Sequence, residues 1–151
     1  MMSVSQETAS ASIQCELCDA SRGDVIVSNT HWRVILVDDA NYPGFCRVIW
    51  NEHVKEMTDL SDADRSTLMQ VVWKTELAIR SVMQPHKINL ASLGNMVPHL
   101  HWHLIPRYTD DAHFPNPIWA TANESIPASS TLEARRSLLP QLRQAITAAL
   151  A

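Results

Sequence analysis

The stretch Pro98-His99-Leu100-His101-Trp102-His103-Leu104-Ile105-Pro106-Arg107 decides how the chain is read. Imidazoles and apolar residues alternate from His99 to Leu104. A period of two belongs to a β-strand, so His99–Ile105 is predicted as a strand with three histidines on one face and Leu100, Trp102 and Leu104 on the other. At a rise of ~3.3 Å per residue, neighbouring histidines stand ~6.6 Å apart and the outer two ~13 Å apart. Two neighbours can share a ligand or an ion. All three cannot ligate one ion from a straight strand, so the imidazoles divide the labour.

Outward from this segment, Gly94-Asn95 marks a turn and Lys87–Leu93 reads as the preceding strand. Before it, Ser61 is the N-cap candidate of a helix, with Asp64 at the capping-box position and Leu68, Val71, Val72, Thr75, Ile79, Val82 and Met83 at helical spacing; Pro85 ends it. Three further strands are predicted upstream, in DVIVSN from Asp24, in HWRVILV up to Val37, and in FCRVIW after the Tyr42-Pro43-Gly44 turn. Downstream, residues 109–129 form a long Pro-rich loop. Residues 130–150 then read as a C-terminal helix, opened by a Ser130-Thr131-Leu132-Glu133 capping box and kinked or restarted at Pro140. The expectation is a loose tail over 1–12 and a single α+β domain over 13–150, an antiparallel sheet packed with helices.

Composition narrows the function. The chain has 151 residues and a formal charge of −4, with no basic footprint for a nucleic-acid backbone. Its 3 glycines, Gly23, Gly44 and Gly94, are too few and too scattered for a glycine-rich phosphate loop. No apolar run is long enough for a transmembrane helix, and the first residues lack signal-peptide character, so the cytoplasm is expected. The cysteines are Cys15, Cys18 and Cys46. Cys46, in an apolar stretch, is expected to be a buried small hydrophobe. The five tryptophans are expected to be mostly core, Trp102 under the helix, with Trp119 either over the site or reaching a partner subunit.

Three readings of the histidines stay open on the residues alone. They line a solvated polar face; or two of them, as His-x-His, hold a catalytic metal with a third ligand and an open position; or neighbouring imidazoles carry covalent phosphoryl or nucleotidyl transfer without Mg²⁺. The Cys15-x-x-Cys18 pair offers half of a tetrahedral zinc site, to be completed by two histidines from elsewhere, or is two buried cysteines; a redox role lacks its βαβ setting.

His99-Leu100-His101-Trp102-His103-Leu104-Ile105 resembles the signature of the histidine triad superfamily, and Val48-Ile49-Trp50-Asn51-Glu52-His53-Val54 resembles a second motif of that family. The resemblance runs from about Cys15 to Arg107. It implies a homodimeric α+β fold of about five strands that hydrolyses nucleotides at the α-phosphate, among them dinucleoside polyphosphates such as diadenosine tetraphosphate and nucleoside phosphoramidates. By motif position His101 is the nucleophile and His103 its phosphate-side partner. The resemblance also places Asp38 or Asp39 at the ribose, with Asn89, Asn95 and Arg107 as further substrate contacts. It assigns a structural zinc to Cys15, Cys18, His53 and His99. Two departures stand out: Phe45 follows Pro43-Gly44 where the family often has a histidine, and Met96 stands where a hydroxyl residue is common. Val37 and Phe45 are candidates for a base pocket or for the core.

Overall fold

The computed structural model describes residues 15–151. The tail expected over residues 1–12 lies outside them. The strands are β1 (Asp24–Ser28), β2 (Trp32–Leu36), β3 (Cys46–Trp50), β4 (Lys87–Ala91) and β5 (His101–Arg107); the helices are α1 (Asp62–Met83), α2 (Ser129–Arg136) and α3 (Leu139–Ala149). The sheet runs β1-β2-β3-β5-β4 with every neighbouring pair antiparallel, the α+β class expected.

Alternation sorts each strand between two faces. Trp32 and Val34, then Cys46, Val48 and Trp50, then Trp102 and Leu104 turn to one side, where Leu68, Val71, Val72, Ile79 and Met83 of α1 and Leu142 and Ile146 of α3 complete the core. Removing such side chains from water stabilises by about 1.5–3 kcal/mol each, which is what holds both helices to this face. Cys46 is fully buried, and burial pushes its thiol up to about 12, so it is an inert part of the core. The other face carries Arg33 and Ile35, Arg47 and Ile49, and His101 and His103. Register joins them into two rows, Ile35–Arg47–His103–Ala91 and Arg33–Ile49–His101.

Local chemistry sets the element ends. Ser61 caps α1 by accepting the Asp64 N–H at 3.1 Å, and Gln84 closes it in the left-handed region at φ 47°, just before Pro85. Gly44 sits at φ +93°, where an added Cβ would meet Met83 at 3.1 Å, so the turn that delivers Phe45 and β3 needs a glycine.

Of the two outcomes expected at Pro140 the helix restarts: Pro140 has no N–H to donate and is tolerated in a first turn, so α3 begins there. Three expectations are corrected. The fifth strand begins at His101 rather than His99, and β4 stops at Ala91 rather than Leu93. The Ser130 capping box does not form, because α2 begins at Ser129 with Ala128 as its uncapped N-cap. Trp73 and Trp119 are exposed at 47% and 64%, whereas Trp32 and Trp50 are buried and Trp102 packs on the helix-side core.

Candidate functional site

Cys15 precedes and Cys18 ends a single 3₁₀ turn, Glu16–Cys18, closed by Cys18 N–H on the Cys15 carbonyl at 3.1 Å. Side chains three apart eclipse in such a turn, so both thiols face the same way. Arg33 of β2 anchors the turn: its Nη2 donates to the Leu17 carbonyl at 2.7 Å and its Nη1 to Asn51 Oδ1 at 2.8 Å, just ahead of His53. His99 follows Pro98 outside the strand, and its ring turns toward the cysteines. The result is one cluster of Cys15, Cys18, His53 and His99 whose ligand atoms all lie within 4.8 Å of one another.

The distances inside the cluster fit a tetrahedral ion. Cys15 Sγ to His99 Nδ1 is 3.5 Å, Cys18 Sγ to His53 Nδ1 is 3.3 Å, Cys18 Sγ to His99 Nδ1 is 3.6 Å, and the two Nδ1 atoms are 3.2 Å apart. Zinc–thiolate and zinc–imidazole bonds at the tetrahedral angle separate their ligands by about 3.3–3.8 Å. The tautomer agrees as well. His99 Nε2 lies 2.6 Å from the Trp50 carbonyl, which can only accept, so the ring proton sits on Nε2 and the Nδ1 lone pair faces the thiols. Burial holds His99 below the usual histidine range, the neutral form a ligand needs. Burial, then Cys15 beside it, pushes the Cys18 thiol up, a cost that a bound cation reverses. The residues present therefore fit zinc.

His101 and His103 lie within β5, two and four residues past His99, their rings edge to face at 4.9 Å. His101 Nδ1 donates to the His99 carbonyl at 2.5 Å, leaving its lone pair on Nε2. One residue thus links the two halves: the side chain of His99 belongs to the cysteine cluster and its carbonyl orients His101. Burial lowers both imidazoles, His103 to about 4 with help from His101 and Arg47, so both are neutral at neutral pH. Beside them is a cavity of about 290 Å³. Val37, Phe45, Leu93, Ile105, Ile118 and Trp119 make it apolar and aromatic; Asp38, Asp39, Arg47 and His103 supply its polar atoms. Phe45 is at once core, packed with Tyr42 and Ile105, and cavity wall, its ring 5.7 Å from His103.

The remaining predicted residues fare differently. Asp38 is exposed on the cavity rim, whereas Asp39 Oδ1 accepts the Asn41 N–H at 2.9 Å and shapes the turn. Asn89 lines an adjoining cavity with Ile105, Ile118 and Trp119, and its Oδ1 accepts from Arg107 at 2.7 Å. Asn95 is exposed in the β4–β5 connection and is not part of the cavity wall, although Leu93 of that connection is. Arg107 is 2% exposed, with its guanidinium engaged inside the chain. Its guanidinium grips the Asp111 carboxylate at 2.7 and 3.1 Å, Asn89, and the Asn116 carbonyl at 2.7 Å.

Sequence reasoning missed the partners of Arg107. Burial alone would raise the Asp111 carboxyl, but Arg107 and the backbone N–H groups of His113, Tyr108 and Phe114 hold it well below the usual carboxylate range. Tyr42 donates to Asp111 at 3.1 Å and meets His113 Nδ1 at 2.6 Å. This network pins the loop that brings Ile118 and Trp119 to the cavity. It also missed Arg33 and Arg47, whose only signal is a cation inside an otherwise apolar strand.

The HIT domain family model matches residues 20–110, so Cys15 and Cys18 precede the match and the two C-terminal helices follow it. A Mycobacterium tuberculosis protein named AP-4-A phosphorylase is 33% identical over 78 residues, 48% of this chain and 40% of that protein; the match thus spans less than half of that relative's length. A histidine triad protein from Bradyrhizobium japonicum superposes with a TM-score of 0.65 at 29% identity, over 82% of this chain and 91% of that one. A zinc-bound histidine triad family protein from Mycobacterium smegmatis has the same fold, with a TM-score of 0.54 at 19% identity over 89% of this chain and 99% of that one. The family model covers well over half of the chain and contains all three histidines in register: the chain belongs to the HIT domain family.

Proposed function

We propose that the protein is a nucleotide hydrolase acting at the α-phosphorus of dinucleoside polyphosphates, of the diadenosine tetraphosphate kind, or of nucleoside phosphoramidates. The observation that carries the reading is the hydrogen bond from His101 Nδ1 to the His99 carbonyl, which leaves a neutral imidazole with its lone pair on Nε2. Nε2 attacks phosphorus; a P–N bond forms and the bond to the leaving group breaks, its electron pair going to that group. The imidazolium so made keeps its Nδ1–H on the His99 carbonyl, which stabilises the charge. Water then attacks the same phosphorus, loses a proton, and displaces His101 with release of a mononucleotide. His103 is the proton and phosphate partner, Asp38 holds the ribose, and the aromatic cavity takes the base.

Cys15, Cys18, His53 and His99 would hold a structural zinc, since four protein ligands leave no open coordination position, and the closed shell would fix His99 and so His101. The chain acts as a homodimer in this reading. Among the described residues β4 is a sheet edge with no further strand beside it, and Trp73 and Leu77, one turn apart on α1, are exposed at 47% and 52%.

The relative named AP-4-A phosphorylase favours a second reading in which inorganic phosphate replaces water in the last step. Products decide. With diadenosine tetraphosphate and EDTA, hydrolysis releases AMP and ATP; if the second reading holds, added phosphate takes the adenylyl group from His101 in place of water, and ADP appears instead of AMP. Binding with no mononucleotide released over hours would sink both.

A further inference from the structure

Arg47 stands in the middle of β3, in register with His103 of β5 and on the face away from the helices. Directly opposed side chains on antiparallel strands are close neighbours, and both residues line the same cavity. The guanidinium carbon lies 5.7 Å from the centre of the Phe45 ring. Glu16 is the carboxylate whose charge reaches it through space, but among the described residues Arg47 has no ion pair in bonding range and no hydrogen bond, and its Nε is buried with no partner. The two other arginines on this face have bonded Nη groups, although the Arg33 Nε is orphaned as well. Arg33 is bonded to Asn51 and Leu17, and Arg107 to Asp111, Asn89 and Asn116. A half-buried cation without a partner costs stability, so an anion that reaches it gains correspondingly.

The cavity has a matching deficit. Asp38 and Asp39 are its acidic groups, and Arg47 is the cation among its lining residues. A nucleotide brings negative charge to the histidines, and Met96, 94% exposed, offers it no hydroxyl.

We propose that Arg47 is a phosphate-binding residue of this site, its guanidinium fork swinging from the Phe45 ring to pair with the oxygens of the phosphoryl group beside His103. The inference rests on the nucleotide reading above and deepens it. A guanidinium suits the task because its Nε–H and Nη–H edge matches two phosphate oxygens at once.

The test compares wild type, Arg47→Met and Arg47→Lys in binding adenosine, AMP and inorganic pyrophosphate by calorimetry, and in hydrolysis of diadenosine tetraphosphate. Unchanged melting temperature and metal content establish that the variants fold, and Lys serves if Met does not. Arg47→Met should weaken AMP and pyrophosphate binding and lower kcat/KM by ~10–100-fold, while adenosine binding stays within about twofold. Arg47→Lys should recover part of the loss. Equal losses for adenosine and AMP would place the arginine against the base and overturn the proposal; so would no loss for AMP. If wild type binds pyrophosphate through Arg47 yet leaves nucleotides intact, the hydrolase reading falls and the anion site stands. If it cleaves nucleotides and Arg47→Met does so equally well, the reverse holds. Wild type that binds none of the phosphates overturns both.

Discussion

The two ends of the histidine motif are finished in opposite ways. At His99 each ring nitrogen has a partner inside the protein, Nε2 the Trp50 carbonyl and Nδ1 the cysteine cluster. At His103 the ring has aromatic neighbours, Phe45 and His101, and the arginine beside it has an orphaned Nε. One end is a closed polar shell suited to an ion and the other an open face suited to an anion. Entry into the sheet makes the difference. His99 lies before β5, where the chain can turn the ring aside; His101 and His103 lie within the strand, where the pleat sends them to the open face. The same contrast separates Arg107, with all its groups engaged, from Arg47.

The sharpest way to break this comparison is at the nucleophile. His101→Ala should bring turnover to background while zinc content and nucleotide binding survive, because only the covalent step is removed. His103→Ala should cost less, ~10²–10⁴-fold, the range of a proton-transfer partner. Burial lowers both imidazoles, so the acid limb of the pH–rate profile should lie below the ordinary histidine value of ~6.5, toward the value of about 4 for His103. Near wild-type turnover in His101→Ala, or an acid limb centred on 6.5, would mean that the open end of the motif is not the chemical one.

The buried pair that supports the loop comes next. Arg107 and Asp111 are 2% and 0% exposed at the side chain, and breaking one partner of such a pair costs about 3–5 kcal/mol. Arg107→Met or Asp111→Asn should therefore lower the denaturation midpoint sharply. The pH dependence has a definite sign. Asp111 is depressed in the folded state, so its contribution is complete above the unfolded value of ~3.9 and is lost as pH falls below it. Urea titrations from pH 6 to 3 should show that loss in wild type and a flatter response in Asp111→Asn.

Why these residues stayed hidden is a matter of register. Periodicity within a segment revealed the strands, α1 and its Ser61 cap, and the split of Trp102 from the histidines, because each depends on neighbours in sequence. Arg47 and Arg33 gain meaning only across strands, opposite His103 and behind the cysteine turn, and a lone sequence carries no cross-strand register. Arg107 read as a substrate contact because its partner Asp111 lies beyond the strand end, in a loop with no periodicity. The candidate metal ligands were reached through family resemblance; the geometry adds the His99 tautomer and the carbonyl link to His101.

The closed end of the motif gives the next smaller effect. Protein purified without a His tag should contain about one zinc per chain, bound outside the His101–His103 pair. Cys15→Ser should lose the metal and melt roughly 5–10 °C lower, as a loss of a few kcal/mol does in a domain of this size, with hydrolysis still measurable. Thiolates bind zinc only when deprotonated, so lowering the pH well below neutral should release the ion. If Cys15→Ser keeps its zinc while His103→Ala loses it, the two ends have been assigned the wrong way round.

The smallest effect separates two adjacent carboxylates, Asp38 and Asp39, which share the cavity rim. Asp39 already has work inside the chain: its Oδ1 accepts the Asn41 N–H at 2.9 Å and its carbonyl accepts the Tyr42 N–H at 3.2 Å. Asp38 is exposed and, among the described residues, makes no such bond. A ribose presents two hydroxyl donors, and a carboxylate with both oxygens unengaged accepts both. Asp38→Asn keeps one acceptor and turns the other into a donor, so KM should rise ~10-fold at nearly constant kcat. Wild type should lose a similar factor with a 2′-deoxy substrate, and Asp38→Asn should lose little more, because the lost hydroxyl and the lost acceptor are partners in one contact. Asp39→Asn should leave KM within about twofold, since an amide oxygen still accepts the Asn41 N–H, as Asn and Asp do alike in such turns. Independent, additive losses in Asp38→Asn and the deoxy substrate would show that the ribose is held elsewhere.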